Sequence, residues 1–177
     1  MSNKSVLFSG FGGQGILFAG KLLAYKGLMD DKNVSWLPSY GPEMRGGTAS
    51  CSVILSDRPV GSPIISSPDV LVAMNLPSLA RFEECVKPGG MILVDSSLVE
   101  QKVTRNDVTA FYIPATKTAG EKGFSTLANM IMVGKLLKEL GEFDLETVEK
   151  AVSKVISAKH AEMKEVNMNA IKTGAEF

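Results

Sequence analysis

Six residues, Gly10-Phe11-Gly12-Gly13-Gln14-Gly15, separate a short apolar run at 6–9 from a stretch where Ile16, Ala19, Gly20, Leu23 and Gly27 recur at helical spacing. A strand, a glycine-rich turn and a helix in that order commit the start of the chain to a tight βα unit. Its helix N-terminus offers backbone N–H groups to an anion. The pattern alone equally suits a close-packed turn that binds nothing small.

The rest of the chain repeats this alternation. Gly27, after Lys26, is expected to cap the first helix. Val34-Ser35-Trp36-Leu37 reads as a second strand stopped by Pro38, and residues 48–55 as a third. The turn Ser56-Asp57-Arg58-Pro59 then predicts a hairpin return through Val60. Residues 69–75 and 91–95 are continuous apolar strands of the buried parallel type. A helix over 77–86, opened by Pro77, lies between them, and residues 108–114 supply one more strand. In the C-terminal third, Leu127, Met130, Ile131, Gly134, Leu137 and Leu140 form one helical stripe ending at Gly141. Asp144 caps a helix that turns Val148, Val152, Val155 and Ile156 inward, and a last helix is expected over about 161–171. The expected fold is α/β, a single domain over 1–177. It is Rossmann-like, with a mainly parallel sheet, helices on both faces, a β-hairpin insertion and a helical C-terminal third.

Composition narrows function by exclusion. Lysine plus arginine and aspartate plus glutamate each number 19, so formal net charge is zero. Nucleic acid and anionic membrane are therefore not expected as partners, since both call for basic patches. No run approaches ~18 uninterrupted apolar residues, and no signal-peptide pattern opens the sequence. The expected compartment is the cytoplasm. Cys51 and Cys85 are two thiols without metal-ligand spacing, read as core cysteines, and a usual iron–sulfur cluster needs about four. His160, the only histidine, lies in a polar helical stretch and reads as a surface residue.

An NAD site would place an acidic residue at the end of the second strand, where this chain has Trp36-Leu37-Pro38-Ser39. Asp30 and Asp31 precede that strand and read as solvated turn residues, so ordinary NAD binding is disfavoured. The expected carboxyl ends of the strands carry Ser9, Ser39, Asn75, Asp95-Ser96-Ser97 and Pro114-Ala115-Thr116. That set is polar but holds no nucleophile–base pair and no paired carboxylates. Asp95 is the one base candidate, and an anchor for nearby loop N–H groups is its better reading. No catalytic residue and no metal ligand are assigned.

After the second strand comes Tyr40-Gly41-Pro42-Glu43-Met44-Arg45-Gly46-Gly47, a loop with a tight turn, two opposite charges and two permissive glycines. With the run at 10–15, it makes the chain resemble the gamma subunit of 2-oxoacid:ferredoxin (or flavodoxin) oxidoreductases, most of all the 2-oxoglutarate type. Residues 69–75, Lys87-Pro88-Gly89-Gly90 and 129–134 support the likeness, which runs in order along nearly the whole chain. The resemblance implies a reaction shared among subunits. A 2-oxoacid is decarboxylated on thiamine diphosphate with magnesium, electrons leave through iron–sulfur clusters to ferredoxin or flavodoxin, and the acyl group passes to coenzyme A. This chain has neither the thiamine-binding pattern nor clustered cysteines, so the cofactors fall to thiamine-binding and ferredoxin-like partner subunits. It is expected to be inactive alone and, when isolated, able to self-associate.

The site residues so implied are Gly10, Gly12, Gly13, Gln14, Gly15, Ser39, Tyr40, Gly41, Glu43, Arg45, Gly46 and Gly47, lining a cleft at the subunit interface on the coenzyme A side. Arg45 suits a phosphate or a partner carboxylate. Glu43 orients Arg45, pairs with a neighbouring subunit, or simply closes a local ion pair that holds the loop. Pyruvate, branched-chain 2-oxoacids and indolepyruvate remain alternative substrates. A stand-alone nucleotide-binding Rossmann-like module is the alternative of a different class.

Overall fold

Alternate residues of β1 (Asn3–Phe11) enter two different cores: Val6 and Phe8 join one cluster, and Leu7 the other. A strand buried on both faces belongs in the interior of a helix-covered sheet. The computed structural model, which describes residues 3–40, 47–124 and 126–177, places β1 there. The remaining elements are α1 (Ile16–Met29), β2 (Asn33–Tyr40), β3 (Thr48–Ser56), β4 (Val70–Ala73), α2 (Leu76–Phe82), β5 (Met91–Asp95), β6 (Thr109–Ile113), α3 (Ala115–Glu121), α4 (Ala128–Glu139), α5 (Leu145–Val155) and α6 (Glu162–Ala175).

The sheet order is β2-β3-β1-β4-β5-β6. Strands β1, β4, β5 and β6 run parallel, whereas β3 is antiparallel to both β1 and β2. The larger core joins β1, β3, β4 and β5 to α1, α3, α4, α5 and α6. The smaller core holds Leu7, Leu71, Ala73, Ile92 and Val94 against Leu79 of α2. Helices thus cover both faces, but unevenly. Register and alternation put Ser35, Leu37, Ser39, Ser50 and Ser52 on the face of β2 and β3 away from α1, where Leu37 is 40% exposed.

Several local expectations change. The second strand does not stop at Pro38: β2 continues through it to Tyr40, with Pro38 opposite Cys51. An edge strand tolerates a proline because one row of its N–H groups faces outward. The hairpin is β2–β3 and not a return through Val60; residues 57–69 contain no strand. Gly27 lies inside α1 and is no cap. A Cβ there would strike Leu55 and Val34, so the glycine lets the helix lie close on the sheet. Asp31, with φ 57°, takes the left-handed position after the helix instead. Asp30 pairs with the buried Lys26, which makes it more than a solvated turn residue. The helix after β4 is shorter than expected, ending at Phe82 before a single 3₁₀ turn, Glu83–Cys85. Helix α3 was not expected at all.

In the C-terminal third, α4 and α6 cross at two glycines. A Cβ on Gly134 would overlap the carbonyl of Ile171, and one on Gly174 the carbonyl of Ile131. Both neighbours are backbone and cannot swing away. Gly134→Ala is expected to force the helices apart at a cost of about 3 kcal/mol. Thermal unfolding by circular dichroism should then show Tm lowered by roughly 5–10 °C.

At the amino end of the sheet, Asp69 accepts from the backbone and hydroxyl of Ser5 and from Lys87 Nζ at 2.9 Å. Burial alone would raise its pKa, but the bonds from Lys87 and Ser5 outweigh that and hold it below 3.8. A folded-state pKa below the unfolded value means that ionised Asp69 stabilises the fold above the unfolded pKa. That stability fades as pH falls through the folded value. Asp69→Asn should therefore flatten the acid limb of a stability–pH profile below about pH 4, measured by urea unfolding.

Candidate functional site at the carboxyl ends of the strands

The turn after β1 takes its shape from two left-handed glycines, Gly13 at φ 97° and Gly15 at φ 72°. Gly15 is the N-cap of α1, and a Cβ on it would meet the side chain of Asn129. Its carbonyl accepts two bonds, from Ala19 N–H and from Asn129 Nδ2, each at 3.0 Å. Asn129 is 3% exposed and sits in the first turn of α4. A residue 114 positions away in the chain therefore fixes where α1 begins.

Gln14 acts as a crossbar. Its Oε1 accepts from Phe11 N–H at 2.6 Å, and its Nε2 donates to the Met74 carbonyl at 2.9 Å. Met74 lies just beyond β4, and its own N–H donates to the Ser9 carbonyl at 2.9 Å. Neighbouring strands β1 and β4 send their following helices to opposite faces, which is the switch-point geometry at which open α/β sheets hold ligands. Gln14 spans that crevice. Behind it, Ser9 Oγ bonds Ser78 Oγ at 2.8 Å, and Asn75 caps α2 by accepting from Ser78 N–H at 2.8 Å.

The two signature loops meet. Gly12 N–H donates to the Gly47 carbonyl at 3.0 Å, so the end of the second loop lies against the glycine turn. Ser39 is exposed in β2 opposite Ser50, and Tyr40 ends that strand opposite Ala49. Gly41, Glu43, Arg45 and Gly46 lie outside the described residues, so the expected Glu43–Arg45 pair is not placed. Gly10, Gly12, Gly13, Gln14, Gly15 and Gly47 are brought together; Ser39 stands apart, on the sheet face away from α1. The first turn of α1 has no acidic residue, so nothing within that turn offsets the positive end of the helix.

Candidate acid–base groups have structural occupations. Asp95 is fully buried at the end of β5 and accepts from Ser97 N–H, Thr116 N–H and Thr116 Oγ1. It is the expected anchor. Burial pushes the Cys51 thiol up to about 12, against the opposing bond with Trp36. It is no nucleophile. Cys85 is free and half-buried, so of the two expected core thiols only Cys51 is fully in the core. His160 is exposed, beside Glu162. Among the described residues, no group of three or more His, Cys, Asp or Glu could hold a metal ion. Nor, among these residues, is any helix long and apolar enough to cross a membrane. Asn129 lies in the supporting stretch 129–134, but its contact with Gly15 was missed; its signal was a lone amide in the apolar run 128–134.

The family model for pyruvate ferredoxin/flavodoxin oxidoreductase matches residues 5–177. The chain belongs to this family, among its gamma-type members. It is 38% identical over 152 residues to 2-oxoglutarate synthase subunit KorC of Methanocaldococcus jannaschii, covering 84% of this chain and 81% of that one. It is 39% identical over 173 residues to ketoisovalerate oxidoreductase subunit VorA of Methanothermobacter thermautotrophicus. That match covers 97% of this chain but only 36% of the VorA length. Among solved structures, the gamma subunit of a keto/oxoacid ferredoxin oxidoreductase from Geobacter sulfurreducens superposes with a TM-score of 0.86. It is 30% identical, with 99% of this chain and 96% of that one covered.

Removing the Gln14 crossbar should loosen the site without unfolding the protein. Gln14→Ala is expected to cost about 1–2 kcal/mol, because the Phe11 N–H and Met74 carbonyl lose their partner. Amide exchange at Phe11 and Gly12 should accelerate, while exchange in α4 stays unchanged.

Proposed function

We propose that this chain is the gamma subunit of a multi-subunit oxidoreductase that takes 2-oxoglutarate, coenzyme A and oxidised ferredoxin or flavodoxin to succinyl-CoA, carbon dioxide and reduced acceptor. Its own part is to shape the coenzyme A side of a cleft completed by other subunits. The observation that carries this reading is the Gly12–Gly47 bond, which joins the last residue of the second signature motif to the glycine turn before α1. Asp95 and Gln14 are occupied in holding backbone, whereas Asn75 Nδ2 is buried without a hydrogen-bond partner among the described residues. A candidate cleft in which Asp95 and Gln14, among the described residues, serve as supports suits a subunit that is inactive alone.

Thiamine diphosphate with magnesium and iron–sulfur clusters, bound by the thiamine-binding and ferredoxin-like subunits, would supply the decarboxylation and the electron path. Toward coenzyme A, this chain's contribution is the backbone N–H groups of the glycine turn, together with Arg45 for a phosphate. The 2-oxoglutarate preference rests on the likeness to KorC, and ketoisovalerate is the competing substrate through the likeness to VorA. The cytoplasm is the expected compartment for a complex of this kind.

Purification of the tagged chain from its native cell should bring down iron-containing, thiamine-bearing partners. A clean single chain that binds NAD or ATP by calorimetry would instead support a stand-alone nucleotide module. In the purified complex, 2-oxoglutarate should support faster CoA-dependent ferredoxin reduction than ketoisovalerate or pyruvate. Arg45→Ala should raise the apparent KM for coenzyme A about tenfold while the subunits still co-purify. Loss of co-purification would make Arg45 an interface anchor.

A further inference from the structure

A cavity of about 360 Å³ lies where α5 ends and the chain passes through a 3₁₀ turn, Ala158–His160, into α6. Phe18, Leu127, Ile156 and Met163 give it apolar walls, and His160 and Asn167 add polar groups. That volume falls in the range of small-molecule sites. No Asp, Glu, Lys or Arg lines the cavity among the described residues.

Asn167 has incomplete bonding. It is 3% exposed, and its Nδ2 donates to the Met163 carbonyl, one helical turn back, at 2.7 Å. A backbone carbonyl only accepts, so this bond fixes which end of the amide is nitrogen. The other end, Oδ1, is buried and has no hydrogen-bond partner among the described residues. A buried acceptor left bare is costly, and it marks a place where a donor belongs. The wall beside it can shift to admit one, because Met163 is 37% exposed and unbranched.

These features select a class of ligand. A charged group would leave water for apolar walls, with no carboxylate, ammonium or guanidinium among the described lining residues to meet it. The Phe18 ring and the Met163 thioether both favour a flat aromatic body. Asn167 Oδ1 calls for one N–H or O–H on the edge of that body. We infer that this cavity is a binding site for a small neutral aromatic molecule with a single hydrogen-bond donor, an indole or a phenol, whose donor meets Asn167 Oδ1. A molecule of the same shape with a ring oxygen at that position sets acceptor against acceptor.

The test titrates indole and benzofuran into the full chain, labelled with ¹³C at methionine, isoleucine and leucine methyls. Indole should shift the Leu127, Ile156 and Met163 methyls while those of the exposed Leu28 and Leu98 stay silent. Benzofuran, with oxygen in place of the indole N–H, should bind at least about fivefold more weakly. Asn167→Leu, of similar volume but without the acceptor, should remove that difference. If that variant does not fold, Met163→Phe narrows the cavity from its exposed rim and should weaken indole about tenfold. Equilibrium dialysis of indole against the tagged chain from its native cell, with whatever partners accompany it, should return the affinity of the chain alone. Equal affinity for indole and benzofuran, or shifts spread evenly over exposed leucines, would overturn the inference. Indole binding untouched by Met163→Phe would do the same, and exclusion of indole in the dialysis would give the cavity to a partner's side chain instead.

Discussion

A single backbone carbonyl, that of Gly15, fixes where the first helix of this protein starts. Gly15 O takes Ala19 N–H from within α1 and Asn129 Nδ2 from α4, and the left-handed backbone at Gly15 is what lets that carbonyl face both donors. A side chain at this position would meet Asn129 and strain the backbone together. The start of α1 sets the rest. It fixes how the helix lies on β3, where Gln14 reaches Met74, and how the turn faces the residues around Gly47. The C-terminal helices thereby act as a clamp on a site formed mostly by the first fifteen residues.

The polar groups near this clamp are engaged in support. Asp95 gathers three donors from the loops after β5 and β6, Ser9 and Ser78 tie β1 to α2, and Asn75 caps that helix. Each is itself buried, so breaking its hydrogen bonds to free it for proton transfer would be expensive. The head of α1 offers backbone N–H groups, which attract anions but carry out no chemistry on their own. Family membership and geometry meet at this point. The fold presents a glycine turn and a helix start whose first turn holds no acidic residue.

The sequence was most legible where one residue type had one physical use. Asp144 capped its helix as its spacing suggested, accepting from Thr147 N–H at 2.9 Å, and Met91–Asp95 was a strand at both predicted ends. It misled where tertiary position decided. Pro38 stops a central strand but not an edge strand, and nothing in residues 34–40 says which β2 will be. Gly27 looks like a cap because capping is the commonest use of a glycine near a helix end; its actual use is clearance for Leu55 and Val34. Helix α3, only seven residues long, has no stripe to read and forms because Ala115 and Ala119 find the core. The glycine turn and its crevice were visible in the sequence. The Asn129 contact was not, because hydrogen-bond pairing over 114 residues leaves no periodic trace.

That long separation also orders events in time. A nascent chain emerges N-terminus first, so the glycine turn is synthesised well before the amide that holds it. Until α4 has formed and docked, β1 and α1 lack the partner that fixes their junction, and the apolar faces meant for α4 to α6 stand open. The close crossing of α4 and α6 at Gly134 and Gly174 puts the last turns of the chain into the same assembly step. Contacts this distant in sequence are slow to close. The junction of β1 and α1 is therefore one of the last parts of the protein to be fixed, and a chain released early would carry a glycine turn still without its support.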